Sequence, residues 1–140
     1  MINKLYYHSK NGNTAKLAEA MARGAATTPV KIGEGAADVR ADLLFIGDGN
    51  YGGKVDPATE RFIAGLDPAK IKRAVVFGTY AFNKKSVLQL RELLKARGIT
   101  VEDQYFASKG KFAIFNGKHP SDRDLSDAVL FVDRIVKKYK

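Results

Sequence analysis

The sequence contains no cysteine. That excludes a disulfide framework, a thiolate metal site and thiol-based redox chemistry, and it gives no sign of an oxidising compartment. Histidine is scarce: His8 and His119 are far apart in the chain, with no carboxylate at ligand spacing, so no metal site is expected. No apolar run approaches the roughly 20 residues that a membrane span requires. The first residues, Met1-Ile2-Asn3-Lys4-Leu5, run straight into an apolar strand and lack the pattern of a secretory signal. The expectation is a cytoplasmic protein with no membrane span. No internal repeat or low-complexity tract is visible either. What is present is 140 residues, 45% hydrophobic and 28% charged. That length fits a single domain, 1–140, able to bury roughly 70% of the surface its unfolded chain exposes.

Negative charge is in short supply. Lys and Arg number 24 against 15 Asp and Glu, a formal charge of +9. Such a balance favours acidic partners. The cations are scattered, with no long block and no nucleic-acid motif, so nucleic acid is not expected; a solvated basic surface is the plain alternative.

Short apolar segments alternate with amphipathic ones. Leu5-Tyr6-Tyr7 reads as the core of a buried strand. Thr14–Arg23 follows as a helix, with Leu17, Ala18, Met21 and Ala22 on one face and Gly24 as its terminating residue. Pro29–Ile32 is a short strand, and Asp42–Gly47 is a near-continuous apolar run of the kind covered on both faces. A glycine-rich loop, Asp48–Asp56, leads to a helix with Asp56 as cap and Pro57 at its first position. Ala74–Gly78 is another buried strand, and Lys84–Arg97 is a helix closed by Gly98. Ile99–Ala107 reads as an edge strand. The last helix begins at Ser121, where Ser-x-x-Asp124 stands in capping-box position. Strands alternating with helices imply an α/β fold: a three-layer, doubly wound, five-stranded parallel sheet with right-handed crossovers. Ligands of such sheets bind beyond the carboxyl ends of the strands, where the strand order reverses.

Three loops fall there. The first, His8-Ser9-Lys10-Asn11-Gly12-Asn13-Thr14, offers a flexible glycine, short polar side chains and the positive end of a helix, which suits a phosphate. An ordinary turn with a glycine and a helix cap would look the same. The second, Gly47-Asp48-Gly49-Asn50-Tyr51-Gly52-Gly53-Lys54, flanks one tyrosine with glycines, as a flat stacked ligand or a flexible turn would require. The third, Gly78-Thr79-Tyr80-Ala81-Phe82-Asn83, carries two aromatics that serve either as a stacking platform or as a cap on the core. Together they divide into a phosphate end and an aromatic end, matching a flavin mononucleotide.

These loops resemble those of the flavodoxins, which carry Ser/Thr-x-Thr-Gly-x-Thr after the first strand, a Ser-Pro-Thr-Tyr-type loop after the third and a Gly-Ser-Tyr-Gly-type loop after the fourth. The counterparts here are Ser9–Thr14, Asp48-Gly49-Asn50-Tyr51 and Gly78-Thr79-Tyr80-Ala81. The tail, Gly110-Lys111-Phe112 and Lys118-His119-Pro120-Ser121 with Asp124-Leu125, also looks like short-chain members. The resemblance implies strand order 2-1-3-4-5 and FMN as cofactor. It implies that Ser9, Asn11, Gly12, Asn13 and Thr14 hold the phosphate. Asn50, Tyr51, Gly52 and Gly53 would line one side of the ring, and Thr79, Tyr80 and Phe82 the other. Lys10, Asp48, Gly49 and Ala81 share those loops and are counted with the cofactor-binding residues. Asn11 stands where the family has threonine, Asp48-Gly49 replaces Ser-Pro, and the charge is basic where flavodoxins are generally acidic.

No catalytic residue is expected. Ser9 has no His–Asp partners in view, Asp56 reads as a helix cap, Asp48 as a solvated loop residue and His8 as a strand-end residue. His119 is expected to order the turn before the last helix. The implied role is electron transfer between redox proteins with acidic docking faces, by a monomer. A small NAD(P)H- or quinone-type reductase is the first alternative, and a cofactor-free interaction module the second. Lys10, Lys54, Lys84 and Lys85 lie in or beside the loops and would make the potential of a bound flavin less negative.

Overall fold

A computed structural model describes residues 1–10, 12–33, 38–49, 53–80, 83–110 and 119–140. Along the chain run β1 (Asn3–Ser9), α1 (Asn13–Gly24), β2 (Pro29–Lys31), β3 (Ala41–Gly49), α2 (Pro57–Ala64), β4 (Ile71–Tyr80), α3 (Lys85–Ala96), β5 (Phe106–Lys109) and α4 (Asp122–Tyr139). The strands form one five-stranded parallel sheet in the order β2-β1-β3-β4-β5. Fold class and strand order are those expected from the sequence.

Side chains alternate across each strand with period two, which sorts the apolar residues into two cores. Leu5, Leu43, Phe45, Val75 and Phe77 face α1 and α4, where they meet Leu17, Met21, Phe131, Val132 and Ile135. Tyr6, Leu44, Ile46, Ala74 and Val76 face α2 and α3, against Ile63, Val87, Leu90 and Leu94. The unbroken apolar runs of β3 and β4 are thus explained by cover on both sides.

Helix ends follow from single residues. Asp56 caps α2 by accepting the Ala58 N–H at 2.9 Å, with Pro57 at the first helical position. Ser121 and Asp124 complete the capping box of α4. Gly98, at φ +90°, closes α3. The end of α1 differs from expectation. Gly24 lies within the helix, and its missing Cβ lets α4 approach, since a Cβ there would stand 3.3 Å from the Val132 side chain. The left-handed terminating residue is instead Ala26, at φ 53°. Thr27 N–H bonds the Ala22 carbonyl at 2.9 Å and Ala26 N–H bonds that of Arg23 at 3.2 Å, the paired bonds of a Schellman ending.

The edge expected over Ile99–Ala107 is split. Val101 makes an isolated parallel bridge with Ala74, and regular pairing resumes only at Phe106 opposite Phe77. Between them the buried Glu102 carboxylate reaches α4, accepting from Lys138 Nζ at 2.8 Å and from the Tyr139 hydroxyl. β3 and β4 are longer than the apolar runs predicted. They continue through Gly49 and Tyr80, carrying polar residues to the carboxyl end of the sheet.

Among the described residues, no helix is long and apolar enough to cross a membrane, and no group of three or more His, Asp or Glu side chains is arranged to hold a metal ion.

Candidate functional site

β1 delivers Ser9 to the carboxyl end of the sheet, and the chain turns there into α1. Ser9 Oγ accepts the Gly12 N–H at 3.0 Å, tightening the turn. Gly12 has φ +82° and nothing within 4 Å of where a Cβ would stand, so backbone conformation rather than crowding calls for glycine. Gly12 is also the N-cap of α1. The helix has no side-chain cap and no acidic residue in its first turn, whereas α2 and α4 are capped by Asp56 and Ser121. The positive end of the α1 dipole therefore opens onto the loop, uncompensated by a carboxylate of its own. Asn13 is buried as the first residue of α1, and Lys10 is exposed. Asn11 lies outside the described residues.

Behind this turn three strand and helix ends converge. Thr14, in α1, and Thr79, in β4, are both buried, and their hydroxyls are 2.8 Å apart. Gly49, at the end of β3, sits between them. A Cβ on Gly49 would stand 2.2 Å from Thr14 Oγ1 and 2.5 Å from Thr79 Oγ1. Gly47 is similarly crowded: its Cβ would meet the Phe77 ring at 2.2 Å. Glycine is thus required at both positions so that side chains of neighbouring elements can cross the end of β3. The sequence placed Gly47 at the junction of strand and loop and Gly49 in the loop, but both belong to the strand. Gly53, at φ +81°, is the one described glycine of that loop beyond the strand.

His8 and Asp48 are direct partners in the β1–β3 register. His8 Nδ1 lies 3.3 Å from Asp48 Oδ1, and its Nε2 lies 3.7 Å from Asp56 Oδ2. Asp48 Oδ2 accepts the Asp56 N–H at 2.8 Å, and Lys10 Nζ comes within 3.6 Å of Asp56 Oδ2. Asp48 is buried, not solvated in a loop as the sequence led one to expect. Burial pushes its carboxyl above the usual range, against the opposing pull of the Asp56 N–H and His8. Burial works the same way on Asp56, but the Ala58 N–H, His8 and Lys10 outweigh it and hold that carboxyl below its usual range. This ionic cluster joins the ends of β1, β3 and α2.

Tyr80 closes β4 half-buried, with Lys84 Nζ 5.9 Å from its ring centre. Gln89 Oε1 accepts the Val55 N–H at 2.8 Å, fastening the β3–α2 connection to α3. Asn50, Tyr51, Gly52, Ala81 and Phe82 lie outside the described residues. At the start of α4, His119 Nδ1 is 2.6 Å from Asp124 Oδ2, which also accepts the Ser121 N–H at 2.8 Å. That contact orders the turn before α4.

Sequence reasoning missed the His8–Asp48–Asp56 cluster and the Thr14–Thr79 pair. The first was within reach, because a 2-1-3 strand order sets the last residues of the first and third strands side by side. The second needed the register of β4 as well.

No protein-family profile matches the sequence, and no curated protein matches it. Solved structures do. A flavodoxin from the domain Archaea superposes with a TM-score of 0.82, at 22% identity, over 99% of both chains. Oxidised flavodoxin 2 from Bacillus cereus gives 0.76 at 17% identity, again over 99% of each. A flavodiiron core from Synechocystis gives 0.71 at 20% identity, with 99% of this chain covering 36% of that larger one. At such identities the likeness is one of architecture, and together with the sheet order it shows that the chain has the flavodoxin fold.

Proposed function

We propose that this chain binds FMN across the carboxyl ends of β1, β3 and β4 and carries electrons between redox proteins. The observation that carries the reading is the Ser9–Thr14 turn: a left-handed Gly12 opening a helix with neither a side-chain cap nor an acidic first turn. Such a turn fits a phosphate dianion, which would take the place of the missing cap at the positive end of the dipole. The backbone of 12–14, with Ser9, Asn11 and Asn13 beside it, would hold the phosphate. Thr14 and Thr79 would support the site from behind, because each hydroxyl is already engaged with the other. Tyr80 and the loops 50–53 and 81–82 would take the ring.

Bound FMN would supply the one- and two-electron chemistry. The residues would do the rest. Lys10, Lys54, Lys84 and Lys85, all exposed around this end, would favour a negatively charged reduced ring and raise its potential relative to an acidic setting. The His8–Asp48–Asp56 cluster would keep the ends of β1, β3 and α2 in register beneath it.

The test is the purified chain's visible spectrum after incubation with FMN and gel filtration. A retained flavin band with no steady NAD(P)H consumption supports an electron carrier. Steady consumption would reassign the chain as a reductase, and a colourless protein would overturn the reading.

A further inference from the structure

Each strand of the sheet has an exposed lysine at its end or in the segment that follows it. In spatial order these are Lys31 at the end of β2, Lys10 after β1, Lys54 after β3, Lys84 and Lys85 after β4, and Lys109 at the end of β5. Neighbouring strands lie about 4.8 Å apart, so the five strand ends span about 19 Å. Adjacent strand ends are thus closer than one Debye length at physiological salt, about 8 Å, and the fields of cations set around them overlap. Among the described residues, Lys10 pairs with Asp56, and none of the other five makes an ion pair. Exposed carboxylates in the first turns of described helices are Glu60, in α2, and Asp122, in α4.

The opposite end is treated differently. There Lys70 pairs with Asp38 at 2.6 Å, Lys72 with Asp42 at 3.1 Å and Lys138 with Glu102 at 2.8 Å. Among the described residues, five of the six lysines at the carboxyl end make no ion pair, whereas Lys70, Lys72 and Lys138 at the amino end each have one.

We propose that this row is a docking face for a protein with a carboxylate-rich surface. A lone exposed charge contributes little, but a row of like charges speeds encounter and selects a partner of opposite sign. These six cations are lysines, and one exposed arginine, Arg123, stands in the first turn of α4. Lysine is a mobile point charge, suited to a short-lived contact with scattered carboxylates, whereas phosphate recognition favours the two-pronged guanidinium of arginine. A protein is therefore favoured over nucleic acid. That the partner is a redox protein rests on the FMN reading; the docking face itself does not.

The probe is an acidic plant-type [2Fe–2S] ferredoxin, titrated into the isotope-labelled chain at low ionic strength, with and without FMN, and followed by amide chemical shifts. Saturable shifts are expected at the carboxyl ends of the strands, fading as salt rises. Lys54→Glu with Lys85→Glu should weaken binding about tenfold or more. The glutamine pair should fall between the glutamate pair and the unmodified chain. A control of equal charge at the other end, Arg40→Glu with Lys140→Glu, should change affinity less than about twofold. Circular dichroism melts establish that each variant is folded. Equal losses in both glutamate pairs, no saturable binding at low salt, shifts centred elsewhere, or tighter binding of a DNA duplex by the same face would each overturn the proposal. Docking that persists where FMN fluorescence is never quenched would overturn the electron-carrier reading and leave the docking face standing.

Discussion

At the amino end of the sheet, charge is used to close the structure. Asp42 accepts the Ile2 N–H and pairs with Lys72, Glu102 is buried against Lys138 and Tyr139, and Arg73 lies 4.2 Å over the Tyr139 ring. At the carboxyl end the carboxylates of β3 and of the α2 cap turn inward. Asp48 and Asp56 are buried and face His8, while the lysines face solvent. One end is knitted by ion pairs between neighbouring elements, and the other hides its negative groups beneath a positive rim. The difference separates a closed end from an open one: the first arrangement pairs its charges internally, and the second leaves the α1 dipole and lysines facing solvent.

The largest effect expected is at Gly49. Gly49→Ala forces a methyl group against the Thr14 and Thr79 hydroxyls, and should cost about 1–3 kcal/mol of unfolding free energy. Urea denaturation would measure it, and FMN affinity should fall with it. A fully stable Gly49→Ala protein would show that the three element ends do not meet as described.

Acid should act on the two ends with opposite sign. Glu102 is opposed by burial, but Lys138 and Tyr139 outweigh that and lower its folded pKa. Its contribution is therefore present above the ordinary glutamate value and is lost as pH falls through the depressed folded value. Relative to Glu102→Gln, the unmodified chain should be more stable at pH 7 by about 1–2 kcal/mol, and that margin should vanish in acid. Asp48 has a raised folded pKa, so ionising it works against folding as pH climbs from the ordinary carboxylate value through the raised one. The Asp48→Asn chain should gain on the unmodified one across that rise, and the two should converge at lower pH. Urea midpoints from pH 3 to 7 would read both, and parallel curves for the two variants would remove the contrast.

The smallest effect lies behind α1. Ala26 holds a left-handed conformation that disfavours a Cβ, so Ala26→Gly should raise stability by about 0.5–1 kcal/mol without altering the site. A drop in melting temperature would contradict the Schellman ending.

Much of this was readable in advance. The apolar runs of β3 and β4 and the helical stripes declare a doubly wound sheet, and Asp56-Pro57 and Ser121-x-x-Asp124 declare two helix starts. Those features are local, and each acts within a few residues of itself. What the sequence hid was set by contacts between distant segments. Gly24 and Gly49 look like turn residues, and Gly47 like a plain strand end, until Val132, the Thr14–Thr79 pair and Phe77 are seen beside them. Glu102 looks like a polar position in an edge strand until Lys138 and Tyr139 draw it inward. The Ser9–Thr14 turn was legible as a glycine-bearing helix start because one short segment carries the glycine, the polar side chains and the start of α1. The cluster beneath it was not, since His8, Asp48 and Asp56 come from three elements.

The central claim is that the Ser9–Thr14 turn holds a phosphate ester joined to a flavin. The most direct test is a paired fluorescence titration of the chain with FMN and with riboflavin, which differ by that phosphate alone. The account predicts that FMN binds at least about 100-fold tighter, through several charge-assisted bonds to the turn. Equal affinity for the two, or no quenching of FMN at all, would contradict it.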